Sequence, residues 1–333
     1  MKAAVLTAVR SPLEFKELST PEPGPGQVRL RMQASGLCGT DLHVIHGTFP
    51  VPLPIVLGHE PVGVVEKLGA GVNMLKTGDH VGVCWNQSGC GRCDYCQRQH
   101  VKYCKSARSW VQNGGGNSEF MIAEAAGCTL LPENLSWENA APIFCAGFTV
   151  MSGYRNARPR PGDRVAVVGI GGLGHLALQI AKALGHDTIA ITGSANKRDE
   201  AKAMGADDVL VIKEHAGKEL MAMGGADIVL STSNNMTHNT QLIEGLRNEG
   251  RLVTMAVSGD KIELDPMQML AHQLSVIGSM QNNREDLVEI LQLVAQGKVK
   301  PKLELYGFKE INTAVERLEA GKIRHRAVVL HNR

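Results

Sequence analysis

Four cysteines stand within fifteen positions of this 333-residue chain, in the stretch CGRCDYCQRQHVKYC at 90–104, as Cys90, Cys93, Cys96 and Cys104. A thioredoxin-like redox pair opens a helix, whereas Gly89, Gly91, Arg92, Asp94 and Gln97 give this stretch the character of a loop. Four thiolates from one excursion can close a tetrahedron around zinc, and a closed tetrahedron leaves no position for a substrate. The pattern therefore points to a metal that stiffens a lobe. The competing reading is four unrelated buried thiols.

A second set of ligand types is scattered through the first half of the chain. GLCGTDLH carries Cys38, Thr40, Asp41 and His43, GHE carries His59 and Glu60, and PIFCAG carries Cys145. A thiolate, an imidazole and another thiolate supply three ligands and leave the fourth position open, the arrangement of a catalytic zinc. Singly, each residue is as readily a small core cysteine or a satisfied core histidine.

A third signal is GIGGLGH, Gly169 to His175. Gly169, Gly171 and Gly174 fit GxGxxG, with Gly172 and Leu173 inside the same loop. The glycines serve a tight turn, a close approach to a pyrophosphate and close helix packing, and the helix N-terminus attracts phosphate. The motif follows an apolar strand and opens a helix, so dinucleotide binding is expected. At the end of the next strand an NAD site usually offers a carboxylate to the ribose. Here stand Thr192, Gly193 and Ser194, then Lys197 and Arg198, while Asp187 comes too early. Small residues leave room for a 2′-phosphate and two cations can pair with it, so NADP is expected, with NAD the alternative. The bland reading of Lys197 and Arg198 is the solvated first turn of a helix.

These groups need elements to position them. Residues 1 to about 145 are rich in Gly and Pro with short runs such as VRLRM, PVGVVEKLG and DHVGVC, a mostly β pattern. After RPRPGD at 158–163, strands RVAVVG, DTIAIT, DVLVI, ADIVLS, GRLVTM and LSVIG alternate with helical stretches, which predicts a doubly wound parallel sheet of six strands. The helix from Arg284 and the final RAVVL are expected to rejoin the first domain. The chain thus reads as an α/β protein with one domain over 1–147 and 285–333, a cysteine lobe at 88–106, and a Rossmann domain over 148–284. With 35 basic and 33 acidic side chains, no general field draws it to nucleic acid. No stretch reads as a signal peptide or a bilayer span, so a cytoplasmic protein without membrane partners is expected, where clustered cysteines are metal ligands more often than disulfides.

Along nearly its full length, from MKAAVL through GHE, the four-cysteine lobe, AAPIFCAG, GIGGLGH and the closing RAVVL, the chain resembles the zinc-dependent medium-chain alcohol dehydrogenases, most nearly the shorter microbial members. The resemblance implies a GroES-like, mostly β catalytic domain joined to a Rossmann domain, with the active site in the cleft between them. It implies two Zn²⁺ per chain: a catalytic ion on Cys38, His59 and Cys145, with Glu60 beside it and Asp41 orienting the imidazole, and a structural ion on Cys90, Cys93, Cys96 and Cys104. Thr40 and His43 would relay a proton while hydride passes between the alcohol carbon and NAD(P). Arg326 would lie near the cofactor pyrophosphate, and Trp85 would line the substrate cleft or else pack the domain. A homotetramer is implied, or a homodimer. The same pattern leaves open an NAD-dependent polyol or threonine dehydrogenase and, more remotely, a catalytically silent nucleotide-binding relative. Cys84 and Cys128 sit in apolar runs as core residues, and His46, His80, His100 and His186 have no partner pattern.

Overall fold

The computed structural model describes residues 1–332 and divides into two compact units, one of residues 1–145 with the segment from Pro301 onward, the other Ala146–Lys300. Arg333, the last residue of the expected first domain, lies outside the described residues.

The first unit is built around the eleven-residue strand Gln27–Leu37. It pairs with Glu60–Leu68, Phe120–Glu124 and Arg326–Leu330, all antiparallel, within a seven-stranded sheet. A three-stranded sheet of Glu14–Glu17, Lys2–Leu6 and Ile55–Val56 adds a second layer of strands. Alternating apolar residues such as Val28, Leu30 and Met32 join Val81, Val83 and Met121 in one core, as expected where a sheet buries one face. The register matters most at one end. Gly36 lies opposite Glu60, so the chain leaves one strand at Cys38 just where it enters the other at His59. Register alone brings together candidate ligands that are 21 positions apart in sequence.

The second unit is a parallel six-stranded sheet in the order Asp208–Val211, Asp187–Thr192, Arg164–Val168, Ala226–Ser231, Leu246–Thr254, Ser275–Gly278. This is the doubly wound order, with its switch between the first and fourth strands of the unit. The strands RVAVV and ADIVLS are almost wholly buried because helices cover both faces. Helix Arg284–Ala295 packs on helix Ala146–Asn156 within this unit, and Ser152 Oγ donates to Asp286 Oδ2 at 2.8 Å. The boundary therefore falls at 300, not at the expected 284. The apolar stripe Leu287, Ile290, Leu291 and Val294 shows that this helix must be buried, but a periodicity does not say against which core. Among the described residues no helix is long and apolar enough to cross a membrane.

The turn after strand Arg164–Val168 is set by glycine at two points. Gly169 has φ +86°, and a Cβ on Gly174 would come within 1.9 Å of the Gly169 carbonyl oxygen. Gly174→Ala must push helix Gly174–Ala183 off the sheet. Overpacking of this kind costs about 1–3 kcal/mol, so calorimetry should show Tm lower by several degrees, while the same change at Gly171, whose Cβ would meet nothing within 4 Å, should leave Tm nearly unchanged.

Candidate metal and nucleotide sites

Helix Gly39–Ile45 starts directly after Cys38, and a capping box closes its first turn, the Asp41 carboxylate accepting from the Cys38 amide at 2.9 Å. The other oxygen of Asp41 lies 3.2 Å from Nδ1 of His59. One buried carboxylate thus orients two candidate ligands, and its bond to Nδ1 leaves Nε2 as the ring nitrogen open to a metal. Among the described residues that Nε2 has no hydrogen-bond partner although it is buried.

Cys145, between the short helical turn Ala141–Phe144 and helix Ala146–Asn156, completes the cluster. Its Sγ is 3.8 Å from Cys38 Sγ, about the sulfur–sulfur spacing of a tetrahedral zinc with bonds of ~2.3 Å. Ligand atoms of Cys38, His59, Glu60 and Cys145 all lie within 4.8 Å of one another. An orphaned imidazole nitrogen facing two thiols at this spacing fits a zinc ion.

The electrostatics suit a cation. The hydrogen bond from Cys145 and the adjacent His59 hold the Cys38 thiol well below its ordinary range against the effect of burial. The same bond, with burial, pushes Cys145 well above. Burial lowers the affinity of His59 for its proton, but Asp41 and Cys38 together outweigh it, so the imidazole is held well above its usual value. Burial pushes Glu60 up to about 7 in spite of Arg326, whose guanidinium pairs with it. Gly36 makes room for Glu60, because a Cβ there would come within 1.9 Å of Oε2.

Arg326 was expected near a pyrophosphate. The structure buries it against Glu60, with its Nε unpartnered among the described residues. The strand pairing of Arg326–Leu330 beside Gln27–Leu37 carries it there across 266 positions, and nothing in the linear sequence signals that contact.

Thr40 and His43 share one face of helix Gly39–Ile45 at i, i+3 spacing. Thr40 Oγ1 is 3.8 Å from Cys38 Sγ, and His43 Nδ1 is 3.1 Å from the hydroxyl of exposed Thr48. Around the cluster stands an aromatic shell. The Trp85 ring meets His59 edge-on at 5.2 Å, Phe49 at 5.8 Å and Trp110 at 5.6 Å. Trp85 thus both packs the unit and flanks the cluster, while Phe49, Thr48 and Trp110 were not legible as site residues in the sequence. Cys84 and Cys128 are buried as core. Of the remaining histidines, His46 pairs with Glu319 at 2.8 Å and His186 bonds Tyr154 and the Asp163 carbonyl.

The four lobe cysteines also converge, their sulfurs within 4.8 Å of one another. The amides of Cys93 and Cys90 approach Cys90 Sγ and Cys104 Sγ at 3.4 Å. Backbone amides of Arg92 and Cys93 hold Cys90 down to about 6, and burial pushes Cys96 up to about 12. Amide N–H groups aimed at sulfur stabilise thiolates, which suits a zinc with four sulfur ligands.

In the second unit, Gly171 opens onto free space and helix Gly174–Ala183 begins without a side-chain cap. The amides of His175, Leu176 and Ala177 bond to the Gly171 and Leu173 carbonyls, so the positive end of the helix and the bare Gly171 backbone are what fit a dinucleotide phosphate. Lys197 Nζ donates to the Ile170 carbonyl at 3.2 Å, tying the strand end to the glycine loop. Gly193, Ser194 and Arg198 are exposed, while Thr192 is buried and accepts from the Ser194 amide. Asp187 pairs with Arg164 at 2.7 Å and lies at the other end of its strand.

Because one carboxylate orients two ligands, Asp41→Asn should weaken metal binding at the Cys38 cluster by about 10–100-fold and leave the four-cysteine lobe loaded. Competition with a chromophoric chelator measures both.

The chain matches the family models Alcohol dehydrogenase GroES-like domain over residues 24–133 and Zinc-binding dehydrogenase over residues 172–296. It is 37% identical over 334 residues to an alcohol dehydrogenase of Geobacillus stearothermophilus, covering 99% of each chain. The structure aligns with the alcohol dehydrogenase of Aeropyrum pernix at TM-score 0.89 and 30% identity, covering 99% of this chain and 100% of that one. It aligns also with the acetophenone reductase of Geotrichum candidum, solved in complex with NAD, at TM-score 0.86 and 28% identity over 99% and 97%. A GroES-like unit with an open cysteine–histidine cluster, a six-stranded Rossmann sheet and full-length likeness at this identity agree: the chain belongs to the zinc-dependent medium-chain alcohol dehydrogenase family.

Proposed function

We propose that this member of the family interconverts primary alcohols carrying an aromatic or extended apolar group with the matching aldehydes, using NADP(H) and two zinc ions per chain. The observation that carries the catalytic part is the buried cluster of Cys38, His59 and Cys145 around an imidazole nitrogen with no hydrogen-bond partner among the described residues.

Cys38, His59 and Cys145 hold the catalytic zinc, Glu60 stands beside it as a further carboxylate, and Asp41 orients the imidazole. Cys90, Cys93, Cys96 and Cys104 hold the structural zinc. When bound, the catalytic zinc supplies a Lewis acid for the substrate oxygen, and the nicotinamide supplies or takes the hydride. Thr40 Oγ1, next to Cys38, accepts the alcohol proton and passes it toward His43. The half-buried imidazole of His43 delivers it through the Thr48 hydroxyl, which is exposed. In reduction the same groups return the proton to the carbonyl oxygen. Gly169, Gly171, Gly172, Leu173 and Gly174 receive the pyrophosphate. Arg326 acts from its pairing with Glu60, drawing that carboxylate toward its ionised form against the effect of burial.

Trp85 and Phe49 support the substrate class, because a ring next to the metal ligand His59 favours an apolar substrate body. The NADP reading is supported by the open Gly193–Ser194 end of the second strand, where no carboxylate stands, and by Arg198 as a phosphate partner. The NAD complex of the Geotrichum candidum enzyme, and the engagement of Lys197 with the Ile170 carbonyl, favour NAD as the second reading. The eight thiols, none in a disulfide among the described residues, support a reducing, cytoplasmic setting.

The homotetramer, or homodimer, is supported by the edge strand Ser275–Gly278, whose outer side is unpaired within the sheet, and by exposed Val257, Met267, Leu270 and Met280 around it. Open edges and apolar patches of this kind are normally covered.

Steady-state turnover of cinnamyl alcohol, benzyl alcohol and ethanol with each cofactor tests the reading. A kcat/KM at least about tenfold higher with NADPH than with NADH is expected, which Arg198→Ala should narrow from the NADPH side; one good phosphate pairing is worth about 1.4 kcal/mol or more. A clear NADH preference overturns the cofactor part. Cys38→Ser should abolish turnover with the fold intact and remove one zinc, while Cys93→Ser should remove the other and lower Tm. Leu270→Lys should shift the protein toward smaller species in light scattering.

A further inference from the structure

His59 is held from two sides, and only one of them is Asp41. The chain just before it, Val56 to Gly58, lies along the glycine segment 114–117. Gly115 N donates to Val56 O at 2.8 Å, Asn117 N to Leu57 O at 2.9 Å, and Gly116 N to Gly58 O at 2.7 Å. The two backbones run so close that a Cβ on Gly115 would come within 2.4 Å of the Leu57 oxygen. Gly58 itself has φ +103°, and a Cβ on it would lie 2.7 Å from both Asn117 Oδ1 and Ser35 Oγ.

Those two side chains are fully buried, at 0% exposure each. Yet Asn117 Nδ2, Asn117 Oδ1 and Ser35 Oγ have no hydrogen-bond partner among the described residues. The backbone of Asn117 is pinned at both ends, its amide to Leu57 and its carbonyl to the Ala4 amide at 2.9 Å, so the side chain is directed at Gly58 by the fold. Buried amides and hydroxyls in native proteins are almost always bonded, and where no protein group serves, an internal water with two to four polar partners does. Two of these atoms, Asn117 Oδ1 and Ser35 Oγ, lie beside one glycine immediately before a candidate metal ligand.

We propose that Ser35 and Asn117, bridged by one internal water, form a buried polar brace that fixes the conformation of Gly58 and so aims the His59 imidazole at the metal; both are positioning residues. Asp41 sets the rotation of the ring through Nδ1, and the brace sets the backbone from which the ring projects. The inference rests on the metal reading given above.

The test compares wild type with Ser35→Ala, which removes a single oxygen, and Asn117→Leu, which keeps the side-chain size and removes both polar ends. Zinc affinity at each site is measured by chelator competition, cobalt-substituted protein gives the visible spectrum of the catalytic ion, and a high-resolution crystal structure of wild type locates water. Each variant is expected to bind the catalytic metal about tenfold more weakly, with altered cobalt bands and the four-cysteine lobe still loaded. The crystal structure should show a water within hydrogen-bond reach of Ser35 and Asn117. Retention of wild-type affinity and cobalt spectrum, even with a lower Tm, overturns the proposal, as does the lack of that water. Should Asn117→Leu fail to fold, Ser35→Ala decides alone. A wild type holding one zinc overturns the functional reading and the brace together; a wild type holding two, with unaffected variants, overturns the brace only.

Discussion

The Asp41 carboxylate is the contact on which the first unit's chemistry turns. It is buried, and its two oxygens serve different candidate ligands, the amide of Cys38 and the imidazole of His59. Because one rigid group addresses both, the thiol and the ring cannot drift independently. The same bond engages Nδ1 of His59 and leaves Nε2 as the nitrogen that could bind a metal after giving up its proton. A buried ion costs several kcal/mol unless it is paired and hydrogen-bonded, and Asp41 meets that requirement with the groups it positions.

Behind the cluster a second buried pair, Glu60 with Arg326, balances charge at a distance from solvent. The pair carries a cost of its own, since neither Oε2 of Glu60 nor Nε of Arg326 has a hydrogen-bond partner among the described residues. Such an arrangement is more useful to a site that gains a cation and anionic ligands than to stability alone. The lobe at 90–104 solves the related problem in another way. Amides of Cys90 and Cys93 in the same loop approach its sulfurs, so its geometry is set largely by a short local segment.

Legibility in the sequence followed this difference. The lobe could be read at once because its four ligands lie within one short loop, where spacing is nearly equivalent to distance. The glycine loop was legible too, since a turn and a helix start are local events. The open cluster was legible only as separate fragments until family resemblance joined them. What brings them together is the pairing of Gly36 with Glu60, a long-range register that no window of sequence contains.

By itself the sequence determined the alternation of strands and helices from residue 164, the mostly β character of the first part and a clustered-cysteine lobe with metal-ligand spacing. Each of these depends on period or spacing within a few residues, whereas the family resemblance drew on motifs spread along nearly the whole chain. Only the tertiary structure decided that Arg326 faces Glu60, that helix Arg284–Ala295 packs in the second unit, and that Trp85 and Trp110 lie against His59, with Phe49 behind Trp85. It alone brought Ser35 and Asn117 to Gly58. Contacts of this kind connect segments up to 266 positions apart through strand register and helix packing. An amphipathic pattern states which face must be covered but not what covers it, and for that reason the partners had to be found in three dimensions.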